Sequence, residues 1–159
     1  QHSISYYLFN DLLLSPLAEG PVFPLSVIRA RIQMFQKQSD LFLATGGVHS
    51  CALCDMENLI CFMEDIGRHN AFDKVLGFAL TGGVDLTRTF LLTSGRVPSD
   101  MMTKAVRARI PVIISHSAPT DSAIDMALKY NVTLSGFARG TRMNVYSAVH
   151  RVGLGNLCH

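Results

Sequence analysis

Short apolar runs alternate with polar turns along most of the chain, and their lengths and spacing separate strands from helices. Apolar runs of roughly four to eight residues are typical of buried strands, and they fall at 48–54, 59–63, 89–93, 111–115, 132–136 and 143–146. Apolar positions three and four residues apart predict helices at 25–37, 98–109 and 121–130. A further helix is predicted after the polar stretch 64–74, with its body at 75–80. The order α-β-β-α-β-α-β-α-β-β predicts an α/β protein, a three-layer α/β/α sandwich with a mixed sheet.

Polar residues at the ends of these runs predict where individual elements start and stop. The segment 55–58 is predicted to form a hairpin turn, Ser99 to cap the third helix and Asn131 to end the fourth. Four residues are expected on the inner face of that last helix: Ala123, Ile124, Ala127 and Leu128.

One domain is expected, preceded by an irregular segment. Prolines interrupt the apolar clusters of residues 1–24, which predicts an irregular lead-in, and residues 25–159 are predicted to form a single α/β domain. The sequence starts at Gln1 rather than at a methionine, so we expect that it has been cut from a longer chain. Gly153 and Gly155 predict a loose tail.

Composition and charge narrow the classes of function. Hydrophobic residues make up 48% of the chain and charged residues 16%, which fits a sheet covered on both faces. The net charge of +2 comes without a basic stripe, so a general nucleic-acid binder is not expected. No apolar run approaches the roughly 18 residues of a membrane span, and no signal peptide is recognisable. We therefore expect a cytoplasmic protein that binds neither nucleic acid nor membrane.

Four polar loops follow strand ends, at 64–70, 94–96, 117–120 and 137–142. If the central strands are parallel, these loops gather at one edge of the sheet, where helix N-termini attract anions. The loops carry guanidinium groups and hydroxyls suited to phosphate: Arg68, Arg96, Arg139, Arg142, Ser94, Ser117 and Thr120. One such loop alone would be an ordinary connection, whereas the four together favour a site for a phosphate-bearing ligand.

The pair Cys51 and Cys54 has the spacing of a redox motif, but its flanks have the pattern of a strand. Strand residues three apart point to opposite faces, so the two thiols are expected to diverge, while His49 and Cys51 share a face. A buried thiol acting as a small hydrophobe is the favoured interpretation, and a redox or persulfide role is the alternative. A zinc site that adds Cys61 lacks the second ligand pair, and Cys158 lies in the tail.

A zinc deaminase would carry H-x-E at one helix start and P-C-x-x-C at the next. The chain has His69-Asn70-Ala71 and Pro98-Ser99-Asp100-Met101-Met102 at these places, so the catalytic Glu and both thiolates are missing. The sequence therefore predicts no zinc and no zinc-dependent hydrolysis.

Five segments carry a resemblance to a known family. They read T-G-G-V-H-S at 45–50, E-D-I-G-R-H-N-A-F-D-K at 64–74, T-S-G-R at 93–96, S-H-S-A-P-T at 115–120 and G-F-A-R-G at 136–140. Together they resemble the formate dehydrogenase accessory protein family, FdhD/NarQ, over about residues 25–146. The resemblance implies a cytidine-deaminase-like fold, in agreement with the incomplete zinc signature.

The resemblance also implies a sulfur carrier, or sulfurtransferase. Such proteins pass persulfide sulfur from a cysteine desulfurase to the molybdenum (or tungsten) bis-guanine-dinucleotide cofactor, which then enters the formate dehydrogenase apoenzyme. The family's cofactor-binding segment corresponds to Phe137, Ala138, Arg139, Gly140, Thr141 and Arg142. By inference the cofactor site also includes Arg68, His69, Ser94, Arg96, Ser117 and Thr120. GDP is expected to act as a mimic of the cofactor. A homodimer is also expected.

The chain departs from the family at its sulfur-carrying motif. The family's persulfide cysteines lie in a C-G-x-C-G segment upstream of the Gly-Gly-Val-His segment, and none occurs between Gln1 and Asp40. Cys51 and Cys54 come after that segment, so they are weak candidates and no catalytic residue is assigned. We expect the C-terminal part of a longer protein that binds cofactor; a non-enzymatic nucleotide- or cofactor-binding chaperone is the alternative. The stretch 64–74 is then a scaffold, in which Gly67 opens the turn, Arg68 faces an anion, and Asp65 and Asp73 hold neighbours.

Overall fold

The computed structural model describes residues 14–43 and 47–153. The helices are α1 (Leu25–Leu43), α2 (Arg68–Thr81), α3 (Ser99–Ala108) and α4 (Asp121–Tyr130). The strands are β1 (Phe23–Pro24), β2 (His49–Cys54), β3 (Leu59–Asp65), β4 (Phe90–Thr93), β5 (Val112–Ser115), β6 (Thr133–Arg139), β7 (Arg142–Val145) and β8 (Val152–Gly153). The predicted order of the main elements is confirmed, and the short strands β1 and β8 are additional.

Six of the strands form one mixed sheet in the order β3-β2-β4-β5-β6-β7. The central strands β4, β5 and β6 are parallel, with Phe90 opposite Val112 and Ile113 opposite Leu134. β2, β3 and β7 join with antiparallel pairings. Because β4, β5 and β6 run the same way, their carboxyl ends lie at one edge of the sheet.

Two hydrophobic cores, one on each face of the sheet, create the three layers. The larger core packs α2, α3 and α4 against the sheet through residues such as Val75, Met102 and Ala127. The smaller core packs α1 on the other face through Ile28, Ile32 and Phe35. The predicted α/β sandwich with a mixed sheet is confirmed.

α1 continues to Leu43, six residues beyond its predicted end. Its buried stripe of Ile28, Ile32 and Phe35 continues at the helical spacing to Ser39, which is also buried. Because Ser39 is polar, a pattern based on apolar residues ends the helix too early.

Two details of the other helices differ from the prediction. Pro98 occupies the N-cap of α3 and Ser99 is its first helical residue, so Ser99 is not the cap. Leu128 is exposed rather than inward, because the buried stripe of α4 runs Ala123, Ala127, Tyr130. The predicted end of α4 at Asn131, in a left-handed conformation, is confirmed.

The hairpin turn predicted at 55–58 is also confirmed. The Asp55 carboxylate accepts hydrogen bonds from the backbone N–H groups of Glu57 and Asn58, at 2.8 and 2.6 Å. The side chain thereby stabilises the connection between β2 and β3.

Residues 14–24 form a strap that packs against the domain. Leu17 is buried in the larger core, and its backbone N–H donates to the Tyr130 carbonyl at 2.9 Å. Phe23 pairs in parallel with Val152, and Pro24 with Gly153. The expected boundary at residue 25 therefore does not coincide with the packing, and Gly153 lies in a strand rather than in a loose tail. Gly155 and Cys158 lie outside the described residues.

Candidate functional site at the carboxyl edge of the sheet

Hydrogen bonds join three of the predicted loops at the carboxyl ends of the parallel strands. The Ser94 Oγ accepts from the Ser50 N–H at 2.9 Å, which ties the loop after β4 to the start of β2. The Ser117 hydroxyl donates to the Ser94 carbonyl at 2.8 Å, and the Phe137 N–H donates to the Ser117 carbonyl at 3.2 Å. The loops after β4, β5 and within β6 are therefore one connected structure.

The loop after β3 reaches the same edge. Gly95 lies so close to it that a Cβ on Gly95 would be 3.2 Å from the Arg68 Cβ and 3.3 Å from His49 Nδ1. The Ser50 hydroxyl also donates to Glu64 Oε1 at 3.2 Å, which links β2 to the end of β3. The structure thus brings all four predicted loops together, as parallel central strands require.

Asp65 organises the turn between β3 and α2. Its carboxylate accepts from the Gly67 N–H at 3.0 Å and the Asn70 amide at 3.2 Å, and it pairs with the Lys74 ammonium at 2.8 Å. The hydrogen bond from Lys74 is the main reason that the pKa of Asp65 falls from 3.8 to about 2. Nearby, Asp73 pairs with Lys104 of α3 at 2.8 Å. Both aspartates hold neighbouring elements, as the scaffold interpretation of this stretch predicts.

Replacement of Asp65 by Asn should make stability depend less on pH in the acid range. Because folding lowers this pKa, the carboxylate stabilises the native state above its ordinary pKa of 3.8 and loses that effect as the pH falls to about 2. The difference in unfolding free energy between wild type and Asp65→Asn should therefore be constant near neutrality and shrink below about pH 4. Chemical denaturation at several pH values measures it.

The pKa of Asp65 gives an independent check by NMR titration. Lys74→Met removes the largest cause of the shift, so the Asp65 pKa should rise towards 3.8 in that variant. An Asp65 pKa unchanged by Lys74→Met would contradict the assigned cause.

A cavity of about 540 Å³ opens at this edge, between the end of α1 and the loops of the sheet. Its lining comprises Gln36, Ser39, Asp40, Val48, His49, Ser94, His116, Ser117 and Arg139. The volume lies within the roughly 300–1,000 Å³ range of small-molecule sites. Ser39 Oγ is buried in this wall without a hydrogen-bond partner among the described residues. A cavity of about 590 Å³ at the opposite edge is lined by the strap and by Thr87, Arg88, Arg109 and Pro111, and contains none of the predicted site residues.

The segment 137–142 is a strand end and a tight hairpin rather than the predicted loop. Residues 137–139 belong to β6, residues 140–141 make the turn, and Arg142 starts β7 opposite Arg139. Phe137 and Gly140 have positive φ angles of 53° and 57°, and the register shifts between Gly136 and Arg139. Both arginines are exposed, but only Arg139 belongs to the cavity lining.

The other predicted residues lie near the cavity but outside its lining. Arg68 packs beside Gly95, Arg96 is exposed, and His69 Nε2 lies 3.6 Å from Asp100 Oδ2 of α3. The Thr120 Oγ1 accepts from the Ala123 N–H at 3.2 Å and caps α4, which gives this hydroxyl a structural partner. Of the predicted residues, Ser94, Ser117 and Arg139 line the cavity directly.

The sequence interpretation missed the cavity wall formed by α1 and the two histidines. Gln36, Ser39 and Asp40 lie in the last turns of α1, at or beyond the predicted end of that helix. His116 stands inside the Ser-His-Ser-Ala-Pro-Thr segment next to Ser117, so its position in a strand-end loop was the available signal.

Cys51 and Cys54 lie on opposite faces of the sheet, as predicted from strand geometry. Cys51 belongs to the larger core and Cys54 to the smaller one, and neither lines the cavity. Burial raises the pKa of Cys51 well above its usual range and that of Cys54 to about 12. Burial also raises the pKa of Cys61. These thiols are protonated near neutral pH and behave as small hydrophobic groups.

Thiol reagents should not label Cys51 or Cys54 in the native protein. Burial raises the pKa of Cys54 to about 12, so almost none of its thiol is ionised at pH 7, and its sulfur is buried. Mass spectrometry of alkylated peptides, with urea-unfolded protein as the control, measures the labelling. Rapid native labelling of Cys51 would show that its environment is open and would revive a sulfur role.

Residues 14–43 and 47–153 contain neither a metal-ligand cluster nor a membrane-spanning helix. In that part of the chain, no group of three or more His, Cys, Asp or Glu side chains is arranged to hold a metal ion. None of the described helices combines the length and the apolar character needed to cross a bilayer.

Comparisons with known proteins give the family of the chain. A model of the FdhD/NarQ family matches residues 8–153. The chain belongs to the FdhD/NarQ family.

Individual relatives carry one description, "Sulfur carrier protein FdhD". The protein from Listeria monocytogenes serotype 4b is 43% identical over 150 residues, which cover 93% of this chain and 58% of the relative. The protein from Streptomyces avermitilis is 48% identical over 116 residues, which cover 72% of this chain and 41% of the relative. The chain thus spans about half the length of the curated relatives it matches.

A solved structure supports the fold independently. The crystal structure of a protein from Desulfotalea psychrophila, assigned as a formate dehydrogenase accessory protein, aligns with a TM-score of 0.80 at 36% identity. The alignment covers 87% of this chain and 60% of that one.

Proposed function

We propose that this chain is the cofactor-binding part of a sulfur carrier that serves formate dehydrogenase. In this proposal the whole protein takes sulfur from a cysteine desulfurase and passes it to the molybdenum (or tungsten) bis-guanine-dinucleotide cofactor before insertion into the apoenzyme. The cofactor is the substrate of the transfer. Family membership and the description of the relatives support the role in sulfur delivery.

The observation that carries the binding role is the cavity with Arg139 in its wall at the carboxyl edge of the parallel strands. A guanidinium group binds phosphate oxygens through paired N–H donors. The Ser94 Oγ accepts from the Ser50 N–H, so its own O–H remains available to a ligand oxygen among the described contacts. The Ser117 hydroxyl, by contrast, already donates to the Ser94 carbonyl. The donor set and the volume fit one nucleotide diphosphate end of the cofactor.

The sulfur-accepting cysteine is not assigned to this chain. Cys51, Cys54 and Cys61 are buried, and their raised pKa values disfavour the thiolate that sulfur transfer needs. In the proposed transfer, sulfur is therefore accepted elsewhere in the full-length protein, and the present residues bind and orient the nucleotide end of the substrate.

The second candidate is a non-enzymatic chaperone for cofactor or apoenzyme, favoured by the burial of the three cysteines in the described part of the chain. Incubation with a cysteine desulfurase and labelled cysteine separates the two. A carrier accepts the label upstream of this domain in the full-length protein, and a chaperone accepts none. A persulfide label on Cys51 would contradict our proposal that this chain does not supply the sulfur-accepting cysteine.

GDP should stabilise this chain against thermal unfolding if the cavity holds the nucleotide end. At about 100 times its dissociation constant, a ligand that binds only the folded state adds roughly 2.7 kcal/mol to the unfolding free energy. Differential scanning fluorimetry with GDP, and with guanosine as a control without phosphate, measures the shift. If millimolar GDP leaves the melting temperature unchanged, the nucleotide-binding proposal fails.

A further inference from the structure

We propose that His116 is an anion-binding residue of this cavity and takes up a proton when a phosphate group binds beside it. The inference rests on the proposed function of the cavity as a nucleotide site. It goes further by assigning a ligand contact to a residue outside the segment 137–142 and by predicting a dependence of binding on pH.

The contacts of His116 fix both its ring and its tautomer. The ring stacks on Phe35 of α1, with 5.4 Å between centroids and 25° between planes. Nδ1 is hydrogen bonded to the Ala138 carbonyl. A carbonyl oxygen only accepts, so Nδ1 carries the hydrogen and Nε2 of the neutral ring carries a lone pair. No contact within the described part of the chain occupies Nε2.

The charged and titratable side chains around His116 come from three elements. Arg139 lines the cavity from β6, Asp40 lines it from α1, and His49 lines it from β2. Burial lowers the pKa of His116 and Arg139 lowers it further, against the opposing effects of the Ala138 hydrogen bond and Asp40. The ring is therefore neutral near pH 7 while the cavity holds no anion.

A phosphate group beside Arg139 reverses this balance. Its negative charge offsets the repulsion from the guanidinium and favours the imidazolium form of His116, whose Nε2–H then donates to a phosphate oxygen. The proton comes from solution, and Nδ1 keeps its bond to Ala138 in both forms. Binding and proton uptake are thus linked. The affinity for the anion rises as the pH falls from the pKa of His116 in the complex to its lower pKa in the free protein.

His150 provides a control outside the cavity. It is exposed and does not belong to the cavity lining. The His116→Asn variant keeps a side-chain N–H near the Nδ1 position for the Ala138 carbonyl but cannot titrate. Comparison of His116→Asn with His150→Asn therefore separates proton uptake at His116 from general effects of removing a histidine.

The decisive experiment is calorimetric titration of GDP into this chain near pH 7 in two buffers with different ionisation enthalpies. The dependence of the apparent heat on the buffer gives the number of protons taken up. We expect fractional uptake by wild type and by His150→Asn, and a clear reduction in His116→Asn. The phosphate of GDP can change its own ionisation on binding, and subtracting the His116→Asn value removes that contribution. As the pH rises from the pKa of His116 in the free protein to its higher pKa in the complex, affinity should weaken by at most about tenfold per pH unit in wild type, and by less in His116→Asn.

A spectroscopic measurement on wild type keeps the proposal falsifiable if His116→Asn fails to fold. Nitrogen-15 spectra of the imidazole ring should report the Nδ1–H neutral tautomer without ligand and two protonated nitrogens with GDP. A ring that stays neutral in the complex, or proton uptake that persists in His116→Asn, overturns the proposal.

Inorganic pyrophosphate separates failure of this inference from failure of the nucleotide site. GDP binding without His116-dependent uptake would overturn the inference and leave the proposed function intact. Pyrophosphate binding with His116-dependent uptake, in the absence of GDP binding, would support the anion position and overturn the nucleotide proposal. If neither ligand binds at millimolar concentration, both fail.

Discussion

Arg139→Ala should weaken GDP binding by about 10- to 100-fold, because a hydrogen bond to a charged group contributes about 1.5–3 kcal/mol. Arg139 is the arginine that lines the cavity, and the positive φ of Phe137 and the register shift in β6 direct the chain there. At a GDP concentration that stabilises wild type by about 2.7 kcal/mol, the variant should gain only about 0.4–1.4 kcal/mol. Thermal shift and calorimetric titration both measure this loss.

Arg142→Ala is the matched control for this prediction. Arg142 is the register partner of Arg139 across the same hairpin but lies outside the cavity lining. Its replacement should change GDP affinity by only a few-fold, and the double variant should abolish the thermal shift. An Arg142→Ala variant that loses more affinity than Arg139→Ala would place the phosphate outside the cavity, on the exposed side of the hairpin.

Arg151→Ala should destabilise the fold by about 3–5 kcal/mol, the usual cost of breaking a buried hydrogen-bond network with a large side chain. The Arg151 side chain is completely buried. Its guanidinium donates to the carbonyls of Asn131, Pro111 and Ala18, the last at 3.0 Å. These carbonyls belong to the end of α4, the start of β5 and the strap. Truncation removes a donor from all three carbonyls and opens a cavity among them, although the Pro111 carbonyl keeps its hydrogen bond from the Thr133 N–H at 2.8 Å.

Urea denaturation monitored by circular dichroism measures this loss. Arg107→Ala is the control, since Arg107 is exposed on α3 and its replacement should cost less than about 0.5 kcal/mol. Arg151→Lys keeps the charge but lacks the planar fork that reaches three carbonyls, so it should recover only part of the loss. If Arg151→Ala costs under about 1 kcal/mol, the strap is held by other contacts.

The sheet and the convergence of the loops were predictable because they follow from local patterns. Apolar strand runs such as 111–115 and amphipathic helices such as α4 identify their own type. Once β4, β5 and β6 alternate with helices, parallel pairing places Ser94 and Ser117 at one edge without further information. This reasoning depends only on the order of the elements.

The walls of the cavity were not predictable because they depend on contacts between distant segments. The buried stripe of α1 continues to Ser39, a polar residue whose burial the sequence pattern does not signal. The bulge that precedes Arg139 uses a left-handed conformation at Phe137, a residue that rarely adopts it. The place of His116 follows from its stacking on Phe35 and its bond to Ala138, both far away in sequence.

The strap has a further consequence for the order of folding. The hydrogen bond from Arg151 to the Ala18 carbonyl joins positions 133 residues apart in the sequence. Closing so long a loop costs entropy before any contact repays it, so the strap should dock after the strand–helix units have formed. Contacts made after the transition state mainly control the unfolding rate. Native opening should therefore begin at the strap, at the edge of the sheet opposite the cavity, while the cavity walls are still assembled.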